Sequence, residues 1–148
     1  MRSSATTTTV SRHKNPSVVI DTSAVIAVLL GEPESDAFGA LLATEPDPVM
    51  SAATLLEASI VMQAKKGAAG TGLLDSLLAA AGVRIIAVDA EQAMLARDAF
   101  TRYGKGQRNT AGLNFGDCFS YALAHSTGRP LLYKGAGFAA TDIQSAGD

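Results

Sequence analysis

The fold is decided by the stretch VVIDTSA at residues 18–24. Three β-branched residues in succession predict a short strand buried on both faces, and the apolar pattern that follows predicts a helix. Asp21 falls at the junction. Ligands of open α/β sheets bind in the crevice at the carboxyl ends of the strands, so Asp21 is a candidate site residue. Its other interpretation is an N-cap that accepts hydrogen bonds from the first amides of the helix, a role that Thr22 or Ser23 can also fill.

Strands and helices alternate along the rest of the chain. Further strands are predicted at residues 49–50, 83–88 and 130–133, and helices at residues 22–30, 34–44, 52–66, 70–81, 90–103 and 115–126. Capping residues, glycines and prolines mark most of their ends. No hairpin signal separates the strands. The sequence therefore predicts an α/β protein with a parallel sheet covered by helices on both faces.

Composition indicates one globular domain. The chain has 148 residues, of which 47% are hydrophobic and 18% charged, and its formal net charge is −2. Residues 1–16 are rich in Ser and Thr and are predicted to form a disordered extension of a domain at residues 17–148. The single cysteine, Cys118, excludes an internal disulfide and favours a reducing cytoplasm. No apolar run approaches the ~20 residues of a membrane span, so we expect no membrane contact.

Glu57 is a second candidate acid. No Lys or Arg lies between residues 21 and 57, and the positions three and four residues from Glu57 are small or apolar. No basic residue of the same helix can therefore pair with it. Burial of an unpaired carboxylate is costly, so Glu57 either lines a cleft, where another group neutralises it, or is a solvated surface glutamate.

Asp117 is a third candidate, in the first turn of a helix that Asn114 is predicted to cap. It is either a site acid or a residue that complements the helix dipole. Helical spacing predicts one core-facing stripe and one polar face. The stripe contains Phe115, Cys118, Phe119 and Ala122, and the polar face contains Asp117, Ser120 and Tyr121.

The three acids share the absence of a basic partner nearby in the sequence. Carboxylates that converge raise one another's pKa unless cations lie between them, and hard divalent cations prefer oxygen ligands. The pattern therefore indicates Mg²⁺ or Mn²⁺ at a site that contains Asp21, Glu57 and Asp117. Two such ions can activate a water and neutralise a phosphodiester.

With these motifs the sequence resembles the PIN-domain ribonucleases, and specifically the VapC toxins of bacterial toxin–antitoxin pairs. The resemblance rests on VIDTSA at 19–24, SAATLLEA at 51–58, GLNFGDCFSYALA at 112–124, and LLYKG and FAATDI between 131 and 143. It implies a three-layer α/β/α fold with a central parallel sheet of four or five strands. It also implies a Mg²⁺- or Mn²⁺-dependent endoribonuclease that cleaves single-stranded loops of structured RNA, commonly tRNA or rRNA. Such toxins are usually homodimers held inactive by a VapB antitoxin.

The resemblance assigns site roles to individual residues. The family's acids map onto Asp21, Glu57 and Asp117, with a hydroxyl from Thr22 or Ser23 and a polar neighbour at Asn114. Thr22, Ser23 and Asn114 are also candidate RNA contacts.

One position departs from the family pattern. The family usually has an acidic pair where this chain has Ala136 and Gly137. Asp142 matches another recurrent family acid and is a candidate replacement metal ligand. Three carboxylates can still hold one metal, but a second ion would bind less tightly. The alternative function is therefore a weakened or inactive PIN module that binds antitoxin or RNA without turnover. A phosphatase of the haloacid-dehalogenase type is disfavoured, because Ser23 stands where its second aspartate is required.

Basic residues suited to RNA lie in the second half of the chain. The glycine-rich loop at residues 102–108 contains Lys105 and Arg108 beside Tyr103, a combination suited to phosphates and an unpaired base. Lys134 is a further candidate for a phosphate contact. The other interpretation of the loop is an exposed segment with ordinary solvated charges.

Overall fold

A central sheet of four parallel strands organises the protein. The computed structural model describes residues 17–147, so the disordered extension predicted for residues 1–16 lies outside the described residues. The order in the sheet is β3-β2-β1-β4. The strands are β1 (Val18–Ile20), β2 (Pro48–Ser51), β3 (Arg84–Ile86) and β4 (Leu131–Leu132). The predicted parallel sheet is confirmed, with four strands.

Six α-helices connect the strands. They are α1 (Thr22–Leu29), α2 (Ser35–Thr44), α3 (Ala52–Lys66), α4 (Ala68–Ala81), α5 (Ala90–Tyr103) and α6 (Phe115–Thr127). A single 3₁₀ turn, Phe138–Ala140, follows β4. Each helix begins and ends within a few residues of its predicted bounds. None of the helices within residues 17–147 has the length and apolar character needed to cross a membrane.

The two faces of the sheet bury different helices. Val18 and Ile20 of β1 pack in one cluster with residues of α1, α2, α3 and α4. Val19 points to the other face and packs with residues of α5 and α6. Because side chains alternate along a strand, a run of three apolar residues supplies both clusters. The three-layer α/β/α architecture is confirmed.

The topology creates a crevice beside β1. The chain leaves β1 through α1 and α2 on one face to reach β2, and it reaches β4 from β3 through α5 and α6 on the other face. The connections therefore diverge between β1 and β4. Ligand sites in open parallel sheets lie at such a switch point, outside the carboxyl ends of the strands. Asp21 follows β1 at this point.

Two glycines of α4 should respond oppositely to alanine. A Cβ at Gly70 would collide with the carbonyl oxygen of Met62 on α3, whereas a Cβ at Gly72 would meet nothing within 4 Å. Backbone cannot yield as a flexible side chain can, so we expect Gly70→Ala to destabilise the fold by about 1–3 kcal/mol. Gly72→Ala should stabilise it by up to about 1 kcal/mol, because alanine has the higher helix propensity. Urea denaturation of both variants checks this, and equal effects would contradict the close approach of α3 and α4.

Candidate active site

Asp21 is buried, with 2% of its surface exposed, and it caps α1. Its Oδ2 accepts hydrogen bonds from the backbone N–H of Ser23 at 3.0 Å and from the Ser23 hydroxyl at 2.7 Å. Its Oδ1 accepts a third from the hydroxyl of Ser120 at 2.6 Å. The two interpretations of Asp21 are thus compatible, because one carboxylate both caps the helix and lines the crevice. The cap is Asp21 itself, not Thr22 or Ser23.

Glu57 reaches the same crevice from α3 and is half-buried. Its Oε1 accepts a hydrogen bond from the Thr22 hydroxyl at 2.6 Å. Its carboxylate lies directly against Gly116 in the first turn of α6, where a Cβ would collide with it. The positive end of the helix dipole favours a negative charge at that place. A hydroxyl and a helix N-terminus therefore compensate the charge that the sequence left without a partner.

Asp117 stands in the first turn of α6 and takes part in a capping box with Asn114. The Asn114 side chain accepts from the Asp117 N–H at 2.8 Å, and the Asp117 carboxylate accepts from the Asn114 N–H at 3.0 Å. Burial raises the pKa of Asp117 to about 6. Burial is the largest cause of this rise, the Asn114 hydrogen bond opposes it, and the negative charges of Asp21 and Glu57 add to it. Asp117 is therefore close enough to both Asp21 and Glu57 for their charges to act on it.

A single cavity of about 430 Å³ collects most of the predicted site residues. Its lining consists of Asp21, Thr22, Ser23, Ile26, Glu32, Glu57, Asn114, Asp117, Lys134 and Gly135. Among residues 17–147, none of the three predicted acids forms an ion pair. The hydroxyls of Thr22 and Ser23, two candidate RNA contacts, donate to Glu57 and Asp21 in this structure.

Lys134 lines this cavity together with Glu32, an acid that the sequence analysis did not single out. Its Nζ lies 3.0 Å from an oxygen of Glu32 and 3.2 Å from an oxygen of Glu34, and both carboxylates raise the pKa of Lys134. Its backbone N–H donates to the Ser23 hydroxyl at 2.9 Å. Lys134 therefore joins the end of β4 to the loop between α1 and α2. In the sequence, the segment GEPE at residues 31–34 places two acids directly after α1, and this was the signal available for the contact.

Asp142, the predicted fourth ligand, lies elsewhere. Its carboxylate accepts a hydrogen bond from the Tyr121 hydroxyl at 2.6 Å and stands 3.6 Å from the guanidinium of Arg102. It lines a different depression, with His125 and Arg129. The expected compensation fails because a tyrosine and an arginine already hold this carboxylate.

Gly137, which stands where the family usually has an acid, is also absent from the lining of the site cavity. A Cβ at Gly137 would lie 3.2 Å from the carbonyl oxygen of Ala111.

Two other sequence-based predictions on this side of the molecule need correction. Phe115, assigned to the core stripe, is 79% exposed because it opens α6, and its ring packs edge-to-face on Phe119. Conversely, Ser120 and Tyr121, assigned to a polar face, are fully buried. Their hydroxyls bond to the carboxylates of the buried Asp21 and the half-exposed Asp142, which helical periodicity cannot reveal.

The predicted basic loop lies outside the cavity lining. Lys105 and Arg108 are exposed. The loop is closed by the side chain of Asn109, whose Nδ2 donates to the carbonyl of Gly104 and whose Oδ1 accepts from two backbone N–H groups, those of Ala111 and Gly112. These hydrogen bonds hold the loop in a defined conformation on the surface, at the start of the segment that leads into α6.

The oxygen-rich cavity suits a hard divalent cation in its donor chemistry. Asp21, Glu57 and Asp117 supply carboxylates, the ligands that Mg²⁺ and Mn²⁺ prefer. As the side chains stand, no three His, Cys, Asp or Glu residues within 17–147 form a group ready to hold a metal. Glu57 is instead turned toward the Thr22 hydroxyl, and Asp117 toward the Asn114 amide. Binding would therefore require rotation of side chains such as Glu57.

The raised pKa of Asp117 predicts a pH-dependent cost to folding. Between the usual aspartate pKa, near 3.8, and about 6, the folded protein binds more protons than the unfolded chain, so stability falls as pH rises through this window. In metal-free buffer, Asp117→Asn should therefore be more stable than the parent at pH 7 by about 1 kcal/mol, allowing for solvent screening. The difference should vanish near pH 4.

Urea denaturation at pH 4 and pH 7, with chelator present, checks this expectation. A parent that is as stable as Asp117→Asn at pH 7 would show that the carboxylate is ionised in the fold without penalty. Addition of Mn²⁺ should reverse the order, because a ligand that binds only the folded state stabilises it and the variant lacks one carboxylate.

Comparison with known proteins gives the family and close relatives of the chain. The PIN domain family model matches residues 18–144. The chain is 50% identical over 126 residues to a ribonuclease VapC of Mycolicibacterium smegmatis, covering 85% of this chain and 97% of that protein. It is 48% identical over 126 residues to ribonuclease VapC30 of Mycobacterium tuberculosis, covering 85% and 95%.

Solved structures share the fold at low sequence identity. The VapC20 toxin of Mycobacterium tuberculosis, described as cleaving the sarcin–ricin loop, aligns with a TM-score of 0.71 at 20% identity, over 86% of this chain and 96% of that one. The VapBC2 complex of Rickettsia felis, bound to a DNA fragment from its promoter, aligns at 0.66 and 18%, over 86% and 95%. The match to the family model and the two close relatives establish that the chain belongs to the PIN-domain family, among the VapC ribonucleases.

Proposed function

We propose that this protein is the toxin of a VapBC-type toxin–antitoxin pair and hydrolyses RNA as a Mg²⁺- or Mn²⁺-dependent endoribonuclease. One observation carries the proposal. Asp21, Glu57 and Asp117 line one cavity at the carboxyl end of β1, and none of the three forms an ion pair within the described part of the chain. Such a site repels an RNA phosphate until a cation neutralises it.

The three carboxylates are the proposed metal ligands, and neighbouring groups hold them. A divalent metal bound there supplies a water of lowered pKa and neutralises charge on the phosphodiester. The Ser23 hydroxyl and N–H orient Asp21. The Thr22 hydroxyl holds Glu57 at the cavity, where its carboxylate would turn to reach a metal. Asn114 fixes Asp117 through the capping box.

The proposed substrate class is a single-stranded loop of structured RNA, such as tRNA or rRNA. Support comes from the basic loop, where Asn109 presents Lys105 and Arg108 to solvent on the segment that leads to Asn114 at the cavity. Exposed cations of this kind contact phosphates without reading sequence. Lys134 is a proposed phosphate contact that must first leave Glu32 and Glu34. The printed description of VapC20 as a sarcin–ricin loop cleaving toxin supports the same class.

The proposed partners are a VapB-type antitoxin and a second copy of the chain, in the cytoplasm. Structural neighbours include a toxin–antitoxin complex from Klebsiella pneumoniae and the VapBC2 complex. Large apolar side chains stand exposed on α3 and α6, among them Leu56, Ile60 and Phe115, as expected of surfaces covered in an assembly. Light scattering of the purified toxin, alone and with the co-expressed antitoxin, tests both partners.

The central experiment incubates the purified protein with total tRNA and rRNA in Mn²⁺, Mg²⁺ or EDTA. We expect discrete cleavage products with either metal and none with EDTA. Equal cleavage in EDTA would contradict a metal-dependent reaction, and no cleavage with any metal would contradict the nuclease.

A second candidate function is a PIN module that binds antitoxin or RNA without turnover. Two observations favour it: Ala136 and Gly137 replace the usual acidic pair, and no described group of three side chains is poised to hold a metal. RNA that is retained by the protein in Mn²⁺ but stays intact would establish this function in place of the nuclease.

A further inference from the structure

Two buried hydroxyls lie behind the predicted acids. Ser120 is 0% exposed and Thr54 is 1% exposed, and their oxygens are 3.1 Å apart. The Ser120 hydroxyl also lies 2.6 Å from Oδ1 of Asp21. The three groups therefore form a chain of hydrogen bonds inside the protein, between α3, α6 and the end of β1.

The direction of these hydrogen bonds follows from the number of protons that each group can donate. An ionised carboxylate can only accept, so the proton between Ser120 and Asp21 belongs to Ser120. A hydroxyl has one proton, so Thr54 must donate to the oxygen of Ser120. Thr54 thus orients Ser120, and Ser120 orients Asp21. Charge-assisted hydrogen bonds to a carboxylate are the strongest members of such chains.

The placement of the two hydroxyls links all three acids. Thr54 precedes Glu57 by three residues on α3, and Ser120 follows Asp117 by three residues on α6. Residues three apart lie on one face of a helix. The hydrogen bond between Thr54 and Ser120 therefore joins the face of α3 that bears Glu57 to the face of α6 that bears Asp117. The bond from Ser120 to Asp21 joins both faces to the end of β1.

We propose that Ser120, oriented by Thr54, is a positioning residue that holds the Asp21 carboxylate in the orientation required for metal binding. The inference rests on the proposed metal-dependent function. Ser120 does not touch the metal or the RNA in this scheme. It acts on Oδ1 of Asp21, while Ser23 holds Oδ2.

The test measures Mn²⁺ affinity of the metal-free, full-length protein by calorimetry, with a melting temperature recorded for every variant. Ser120→Ala should weaken Mn²⁺ binding about tenfold or more, the usual effect of removing a group that orients a metal ligand. Thr54→Val, which keeps the shape and removes the hydroxyl, should weaken it in the same direction. Thr54→Ser keeps the hydroxyl and should restore binding relative to Thr54→Val.

Ser59→Ala is the matched control. Ser59 lies on the same helix as Thr54, and its hydroxyl donates only to the carbonyl of Leu55 in that helix. We expect unchanged Mn²⁺ affinity in this variant. Because the double variant Thr54→Val/Ser120→Ala removes one connected unit, its loss should be smaller than the product of the two single losses.

The outcomes separate this inference from the function on which it rests. If the parent binds Mn²⁺ and Ser120→Ala binds it equally well but melts earlier, Ser120 is only structural and the inference is overturned, while the proposed function stands. If the parent binds no Mn²⁺ under any condition, the metal-dependent function fails and the inference fails with it.

Discussion

Asp21→Asn is expected to lower Mn²⁺-dependent RNA cleavage by about a thousandfold or more. Under the proposed function, a metal held by Asp21 would supply an activated water and neutralise the phosphodiester, a contribution of several kcal/mol; about 4 kcal/mol corresponds to three orders of magnitude in rate. Asparagine keeps the shape of the side chain but loses the charge that a cation requires. It is also as good an N-cap as aspartate, so its side-chain oxygen should still accept the hydrogen bond from the Ser23 N–H and cap α1.

Single-turnover cleavage of one RNA, with far-UV circular dichroism of the variant, measures this effect. Asp36→Asn is a suitable control, since Asp36 is an exposed aspartate in the first turn of α2 and lies outside the cavity. Parent-like cleavage by Asp21→Asn would assign the activity to a contaminating nuclease. Parent-like cleavage is expected for the control.

Gly116→Ala is expected to lower cleavage about 10- to 100-fold without loss of stability. A Cβ at this position would enter the space of the Glu57 carboxylate, which is the end of a flexible side chain and must move away. Displacement of a ligating or positioning group by about 1 Å costs enzymes up to about two orders of magnitude. The backbone gains from alanine, whose helix propensity exceeds that of glycine by up to about 1 kcal/mol.

Gly39→Ala provides the matched control for this variant. Gly39 lies in α2, and a Cβ there would meet nothing within 4 Å. We expect higher stability in both glycine variants and lost cleavage only in Gly116→Ala. A Gly116→Ala protein that cleaves RNA at the parent rate would show that Glu57 is not needed where the structure places it.

The sequence was sufficient to predict the architecture, because local signals coincide with each element. The β-branched run at 18–20 marks the central strand, and Asn114 caps the helix that it was expected to cap. The collection of Asp21, Glu57 and Asp117 at one cavity follows from the same logic. Parallel strands end at one edge of the sheet, so residues beyond the strands and at nearby helix starts meet there.

The contacts that complete the cavity were not predictable, because they join residues far apart in sequence. Ser120 and Asp21 are separated by 99 residues, and Lys134 and Glu32 by 102. Serine, lysine and glutamate are common in solvated surfaces, so their types carry no signal. Asp142 shows the reverse case, in which a motif match suggests a metal ligand but the carboxylate accepts a hydrogen bond from the Tyr121 hydroxyl outside the cavity.

The strand order has a consequence for synthesis of the protein on the ribosome. A nascent chain that has emerged through β3 contains Asp21 and Glu57, but it lacks Asp117 on α6 and the strand β4 that closes the crevice beside β1. Domains complete their folding only after their last elements are available. Under the proposed function, the translating ribosome therefore carries no active nuclease until nearly the whole domain has emerged. An antitoxin that binds the complete fold therefore need not inhibit any partly synthesised form of the toxin.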